Sequence, residues 1–167
     1  QALEHTLSPS MDITVSSNFE RLMFDLYDRD PSAITALMAA FDDGDIALSE
    51  AAMSNARAMF ASHRVDDAET LACISNVWEK TEYLLDPHSA IGYAAATLSD
   101  AKSGVPWVTL ATAHPAKFPG AIERSGVATV PTLPAHLSDL FDLDEHFDVL
   151  PNDMAEVHRF MSAHLGA

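Results

Sequence analysis

Trp107-Val108-Thr109-Leu110-Ala111-Thr112-Ala113-His114-Pro115-Ala116-Lys117-Phe118 is the stretch that decides the fold class. Its first five residues form a short β-prone run. A tight connection follows, and His114-Pro115 then reads as a helix start, because proline at the first helical position gives up no hydrogen bond. Strand followed by helix is the building pattern of α/β layers with a mostly parallel sheet. Working outward, the same kind of start recurs at Asp30-Pro31 and Asp86-Pro87, and Ser49, Asp66 and Asn152 read as further N-caps with acidic residues in the first turn. Ser17-Asn18-Phe19-Glu20 has the spacing of a capping box, and behind it Phe19, Leu22, Met23 and Leu26 fall on one helical face. These signals predict helices near 17–28, 31–42, 49–60, 67–84, 88–102, 115–125, 134–142 and 153–165. Residues 61–65 and Asp148-Val149-Leu150 are two weaker strand candidates, and 127–134 reads as a Pro-containing loop. Three strands are too few for a complete doubly wound sheet. The predicted fold class is therefore α/β: a helix-rich partial parallel sheet, with the rest of the sheet expected outside this chain.

The 167 residues suffice for one compact domain with its own core. Nine Lys and Arg against 25 Asp and Glu give a net charge of −16, which argues against nucleic acid and anionic membranes as partners. No apolar run approaches the roughly 18 residues that a spanning helix needs. Cys73, the only cysteine, falls in an apolar-looking helical stretch and cannot form an internal disulfide, which fits a reducing cytoplasm. Eight histidines show no clean ligand spacing, so no metal site is expected. The chain opens at Gln1 on a polar, turn-like stretch, as a cut or processed chain does.

Three groups of residues could carry chemistry. Ser17, Asn18 and Arg21 gather at a predicted helix N-terminus, where free backbone N–H groups and an Arg fork suit a phosphate or carboxylate. The competing role for Arg21 is a surface pair with Asp25 four residues on. Thr112 and His114 fall just beyond the end of the predicted strand, where ligands bind in open α/β sheets; equally, Thr112 could turn the chain and His114 cap the helix. Lys117, in the first turn after Pro115, reads as solvated rather than as a Schiff-base lysine. Asp86-Pro87-His88-Ser89-Ala90-Ile91-Gly92 places His88 and Ser89 in a helical first turn, with Gly92 permitting close backbone approach.

Taken in order, Ser8-Pro9-Ser10-Met11-Asp12-Ile13 with Val15-Ser16-Ser17-Asn18-Phe19-Glu20-Arg21-Leu22, then Asp86 to Gly92, then Thr112-Ala113-His114-Pro115-Ala116-Lys117-Phe118, resemble the threonine synthase family. Leu150-Pro151-Asn152-Asp153 before a terminal helix fits the same order, so the resemblance covers the whole of residues 1–167 as a C-terminal portion of the catalytic domain. It implies a fold-type-II pyridoxal-phosphate enzyme, cytoplasmic, that converts O-phospho-L-homoserine and water to L-threonine and phosphate. By the same resemblance, Thr112 is the hydroxyl near the pyridine nitrogen. A neutral hydroxyl there does not keep the ring protonated, which gives a milder electron sink suited to elimination and replacement. His114 joins Thr112 on the cofactor side, and Ser17, Asn18, Arg21 and His88 belong to the substrate side. The family's Schiff-base lysine and cofactor-phosphate loop lie upstream, and neither string is present; Lys80, Lys102 and Lys117 lack the lysine's context. The fragment alone is thus expected to be inactive, to need the missing N-terminal half, and to expose apolar surface where that half docks. Competing readings are an interaction module that kept the sequence without the chemistry, and another fold-type-II enzyme of the tryptophan synthase β type.

Overall fold

The computed structural model describes residues 3–14, 16–44, 46–99 and 104–165, with Ser17 described by its backbone alone. The chain divides into two units, Gln1–Thr132 and Leu133–Ala167. In the first, a short 3-10 turn (Pro9–Met11) precedes helices α1 (Ser17–Leu26), α2 (Pro31–Asp42), α3 (Glu50–Met59), α4 (Asp67–Thr81), α5 (Pro87–Leu98) and α6 (Pro119–Arg124). The second holds two 3-10 turns (Ala135–Leu137 and Leu140–Asp142) and helix α7 (Met154–Leu165).

Most helix starts follow from local chemistry. Asp30 accepts from the N–H groups of Ser32 and Ala33, and Ser49 from that of Ala52. Asp66 and Glu69 close a reciprocal capping box at α4. Two caps lie one residue away from their predicted positions. α1 begins at Ser17 with Ser16 as its N-cap, and the Ser16 side chain makes no capping bond, so the box assigned to Ser17 and Glu20 is out of register. At α7 it is the Asp153 carboxylate, not Asn152, that accepts from the Glu156 N–H, at 3.0 Å.

Helix ends depart further from expectation. α1 stops at Leu26 because Asp28 and Arg29 turn left-handed (φ 54° and 61°), and the Arg29 N–H reaches back to the Phe24 carbonyl at 2.8 Å. This is a Schellman closure built without glycine, so no glycine announces it. α4 ends at Thr81, where Glu82 takes φ 58°. The single helix predicted over 115–125 is split into a 3-10 turn (Pro115–Lys117) and α6, because Pro119 starts a new helix and pushes Phe118 out of helical geometry (φ −131°, ψ 52°). The helix predicted over 134–142 is two separate 3-10 turns.

The partial parallel sheet is not formed: among the described residues there is no strand. Residues 61–65, 105–111 and 148–150 have no regular structure. A strand exists only through a neighbour's hydrogen-bond ladder, and β-prone sequence without one remains an isolated run. Val108 and Leu110 are accordingly 79% and 73% exposed, large apolar side chains with nothing over them.

Two apolar clusters hold the first unit together. Met23, Leu26, Ile34, Leu37 and Ala52 join α1, α2 and α3. Ile74, Val77, Leu85, Ala90, Ile122 and Val127 join α4, α5 and α6, with Ile74 wholly enclosed. The N-terminal segment is tied onto the second cluster's frame: the Leu7 N–H donates to Asp67 at the start of α4 (3.0 Å), and the Ser10 N–H to His88 in the first turn of α5 (3.2 Å). In the second unit no described residue is buried, and α7 carries an Arg159–Glu156 pair (2.7 Å) on its surface. No helix among the described residues is long and apolar enough to cross a membrane.

Candidate functional site

The site is organised at the first turn of α5. Asp86 is its N-cap, and the preorganised Pro87 leaves the N–H groups of His88 and Ser89 to be met by the Asp86 carboxylate at 2.9 and 3.4 Å. The cap is only part of what Asp86 does. Its Oδ1 also faces His88 Nδ1 at 3.0 Å, and its Oδ2 accepts the Ser89 hydroxyl. Asp86 is 1% and Ser89 2% exposed, so these bonds lie out of water, where an unmet polar group costs most.

The ring of His88 is fixed from three sides. Nε2 accepts the Ser10 N–H, so the ring proton sits on Nδ1 and points to Asp86. Phe118 packs against the ring with a centroid separation of 4.6 Å. Both ring nitrogens are thereby engaged within the chain. Ser89, whose hydroxyl donates to Asp86, accepts the Thr112 N–H at 3.0 Å. Among the described residues no buried side-chain nitrogen or oxygen is left without a partner.

A cleft of about 660 Å³ opens beside this network, walled by Ser10, Met11, His88, Gly92, Trp107 and Thr112 among others. Thr112 is exposed at its edge while its backbone is anchored. A Cβ on Gly92 would meet Thr109 Cγ2 at 3.4 Å, so the glycine lets the 105–112 segment lie close to α5, though an alanine would only just touch it. His114 is exposed, and its Nδ1 accepts the Ala116 N–H at 3.2 Å. It caps the Pro115–Lys117 turn, the plainer of its two predicted roles. Lys117 is exposed, its Nζ 5.8 Å from the Phe118 ring centroid, and does not line the cleft. Lys80 lies on α4 in a different groove with Cys73, whose thiol is pushed up by burial and donates to the Ala90 carbonyl at 3.4 Å. Lys102 falls outside the described residues.

The second candidate group sits at the start of α1. Asn18 and Arg21 are both exposed, and the Arg21 guanidinium donates to Asn18 Oδ1. Asp25, the competing partner for Arg21, instead takes Arg29 at 2.8 Å. The side chain of Ser17 lies outside what the structure describes. Neither Asn18 nor Arg21 lines the cleft at His88, although the Pro9–Met11 turn, which leads toward α1, borders it through Ser10 and Met11. No group of His, Cys, Asp and Glu among the described residues is arranged to hold a metal ion.

Sequence reasoning treated Asp86 as a helix start, placed Ser89 beside His88 in the first turn without giving it a partner, and gave Ser10 no role at the site. A signal was available: Ser89 is the third helical residue after an Asp N-cap, the position from which a side chain reaches back to the cap. The part played by Ser10 depends on a contact 78 residues away, which no local pattern encodes.

Residues 89–161 match the family model described as threonine synthase, C-terminal. The threonine synthase of Pseudomonas aeruginosa is 48% identical over 163 residues, 97% of this chain and 35% of that protein. That of Methylobacillus glycogenes is 34% identical over 96% of this chain and 34% of its own length. Among solved structures, PLP-bound threonine synthase from Brucella melitensis superposes with a TM-score of 0.82 at 43% identity, covering 100% of this chain and 36% of its own. Yeast threonine synthase gives 0.76 at 27% identity, covering 99% of this chain and 37% of its own. The chain spans about a third of the length of the relatives it matches. The resemblance read from the three motifs is thus shown: along its length this chain matches the C-terminal part of threonine synthases.

Proposed function

We propose that residues 1–167 are the C-terminal portion of the catalytic domain of a cytoplasmic threonine synthase. The intact enzyme converts O-phospho-L-homoserine and water to L-threonine and phosphate with pyridoxal phosphate. The observation that carries this reading is the exposed Thr112 at the edge of a cleft, its backbone held by Ser89, in a chain 48% identical to a threonine synthase over 97% of its length.

The residues fit one end of the cofactor. Thr112 offers a neutral hydroxyl suited to a pyridine nitrogen, and among the described residues no Lys or Arg lines the cleft to serve as a phosphate grip. When bound, pyridoxal phosphate supplies the electron sink for the reaction. The chain's own residues bind and orient. Thr112 would meet the ring nitrogen without keeping it protonated, and His114, the cap of the turn two residues on, supports that side from outside the described lining of the cleft. Arg21, Asn18 and Ser17 take the substrate's phosphate at the start of α1, where the Ser16 cap leaves helix N–H groups free for an anion. His88 belongs to the substrate side as part of its wall, since both ring nitrogens are already engaged. Lys80 and Lys117 are not among the described residues lining the cleft, and by the family resemblance the lysine that carries the cofactor belongs to an upstream part of the enzyme. That part would also supply the strand neighbour that the exposed run around Val108 and Leu110 lacks among the described residues.

The test is phosphate release from O-phospho-L-homoserine by the full-length enzyme with added pyridoxal phosphate. The full-length enzyme is expected to be active and residues 1–167 alone silent. Arg21→Ala in the full-length enzyme is expected to lower kcat/KM by about 10²-fold, the range of one lost charge-assisted contact, with Arg21→Lys intermediate. Phosphate release by the fragment alone would falsify the need for an upstream lysine. A full-length protein that binds the cofactor but ignores this substrate points to another fold-type-II reaction, and one that binds no cofactor points to an interaction module.

A further inference from the structure

Asp86 stands between two segments that face the cleft. On one side its Oδ2 takes the Ser89 hydroxyl, which in turn takes the Thr112 N–H at 3.0 Å. On the other its Oδ1 faces His88 Nδ1 at 3.0 Å, and His88 Nε2 takes the Ser10 N–H at 3.2 Å. The chain of bonds is buried at its centre and borders the cleft at His88 and at its two ends, Thr112 and Ser10. Two of the three central groups are also committed elsewhere: Asp86 to the α5 cap, His88 to Phe118. None of the three can swing away without leaving a buried polar atom unmet.

We propose that Asp86, Ser89 and His88 are positioning residues that hold Thr112 and the Pro9–Met11 turn at one fixed separation across the cleft. Ser89 acts on the cofactor side through the Thr112 backbone, and His88 on the substrate side through Ser10. Asp86 orients both, because a single carboxylate receives both side chains. Helix capping alone requires neither the Ser89 hydroxyl nor the His88 ring to point at Asp86. The inference rests on the reading above for what Thr112 faces, but the bond chain itself does not.

The experiment compares wild type, Ser89→Ala, Thr112→Ala and the double variant in the full-length enzyme. Three readouts are taken: hydrogen exchange of the peptide containing Thr112 in the unloaded protein, the absorption spectrum of bound pyridoxal phosphate, and kcat against KM. Ser89→Ala is expected to speed exchange at Thr112, to shift the cofactor's absorption, and to lower kcat by up to about 10²-fold with KM little changed, as for a small misplacement of a reacting group. In the double variant, adding Ser89→Ala to Thr112→Ala is expected to move the spectrum no further, because the two act through one contact. A Ser89→Ala spectrum identical to wild type, while Thr112→Ala shifts it, overturns the positioning role and leaves the threonine synthase reading intact. If Thr112→Ala itself shifts nothing, Thr112 does not face the cofactor; unchanged exchange in Ser89→Ala then overturns the positioning role as well, and faster exchange upholds it. Should Ser89→Ala fail to fold, Ser89→Cys keeps the volume with a weaker donor, and the same comparisons apply to it.

Discussion

Asp30-Pro31 and Asp86-Pro87 are the same dipeptide at the same place, the start of a twelve-residue helix, yet they do different work. Asp30 is exposed, and its carboxylate meets two backbone N–H groups, those of Ser32 at 2.8 Å and Ala33 at 3.3 Å. Asp86 meets the equivalent pair and in addition the side chains of His88 and Ser89, with 1% of its surface exposed. The two following residues decide the difference. Ser32 and Ala33 present nothing that reaches back to Asp30, whereas His88 and Ser89 both do. A helix cap thus becomes the centre of a site when the first turn carries side chains able to use the remaining lone pairs and the whole is enclosed.

Replacing each aspartate by alanine should separate the two roles, with the larger effect at Asp86. Asp86→Ala removes a cap worth about 1 kcal/mol and leaves the Ser89 hydroxyl and the His88 N–H unmet in a buried place. The expected loss is about 3 kcal/mol in denaturant unfolding of the full-length protein, with relief from no longer burying a charge already offset. Asp86→Asn keeps one carbonyl acceptor and should fall between alanine and wild type. Asp30→Ala should cost only about 1 kcal/mol, since water can replace the lost acceptor. Equal losses at the two sites would mean that Asp86 is a cap and nothing more, and the comparison would collapse.

This pair also shows what the sequence made legible. The starts of α2, α3, α4 and α5 could be read because a cap is chemistry between neighbours in the chain. The apolar face of α1 was readable in part: Met23 and Leu26 are in the core with Leu22 packed against it, as that face required, while Phe19 at its start is exposed. What could not be read depends on partners distant in sequence or absent from the chain. The run 107–111 has strand-like residues, but strand formation requires a ladder partner, and none is present among the described residues. The Schellman closure after Leu26 went unseen because Asp28 and Arg29 occupy positions where glycine is the usual signal. The site was legible by its pieces: Thr112, His88 and Arg21 were each singled out. Only the fold reveals that Ser89 and Asp86 together connect the first two and that Arg21 pairs with Asn18 instead of Asp25.

A third aspartate offers the smallest test. Asp12 follows the Pro9–Met11 turn, and its carboxylate accepts both the hydroxyl and the N–H of Thr6, at 2.7 Å each. Those two bonds hold its carboxyl below the usual carboxylate range. Because the folded value lies below the unfolded one, the stabilisation is fully present above the ordinary carboxylate value of about 4 and is lost as pH falls through the lowered folded value. Asp12→Asn should therefore be less stable than wild type at neutral pH by a small margin that closes on acidification. The Ser10 N–H is held separately by His88, so hydrogen exchange over residues 6–12 should quicken in acid before that of α5 does. A stability difference that stays constant from about pH 6 to about pH 3 would remove Asp12 from the account. Exchange rising together in both segments would show instead that the Thr6–Asp12 bonds and the Asp86 network open as one unit. The half-buried Asp12 and the buried Asp86 would then be parts of a single cooperative element rather than two independent clamps on the same turn.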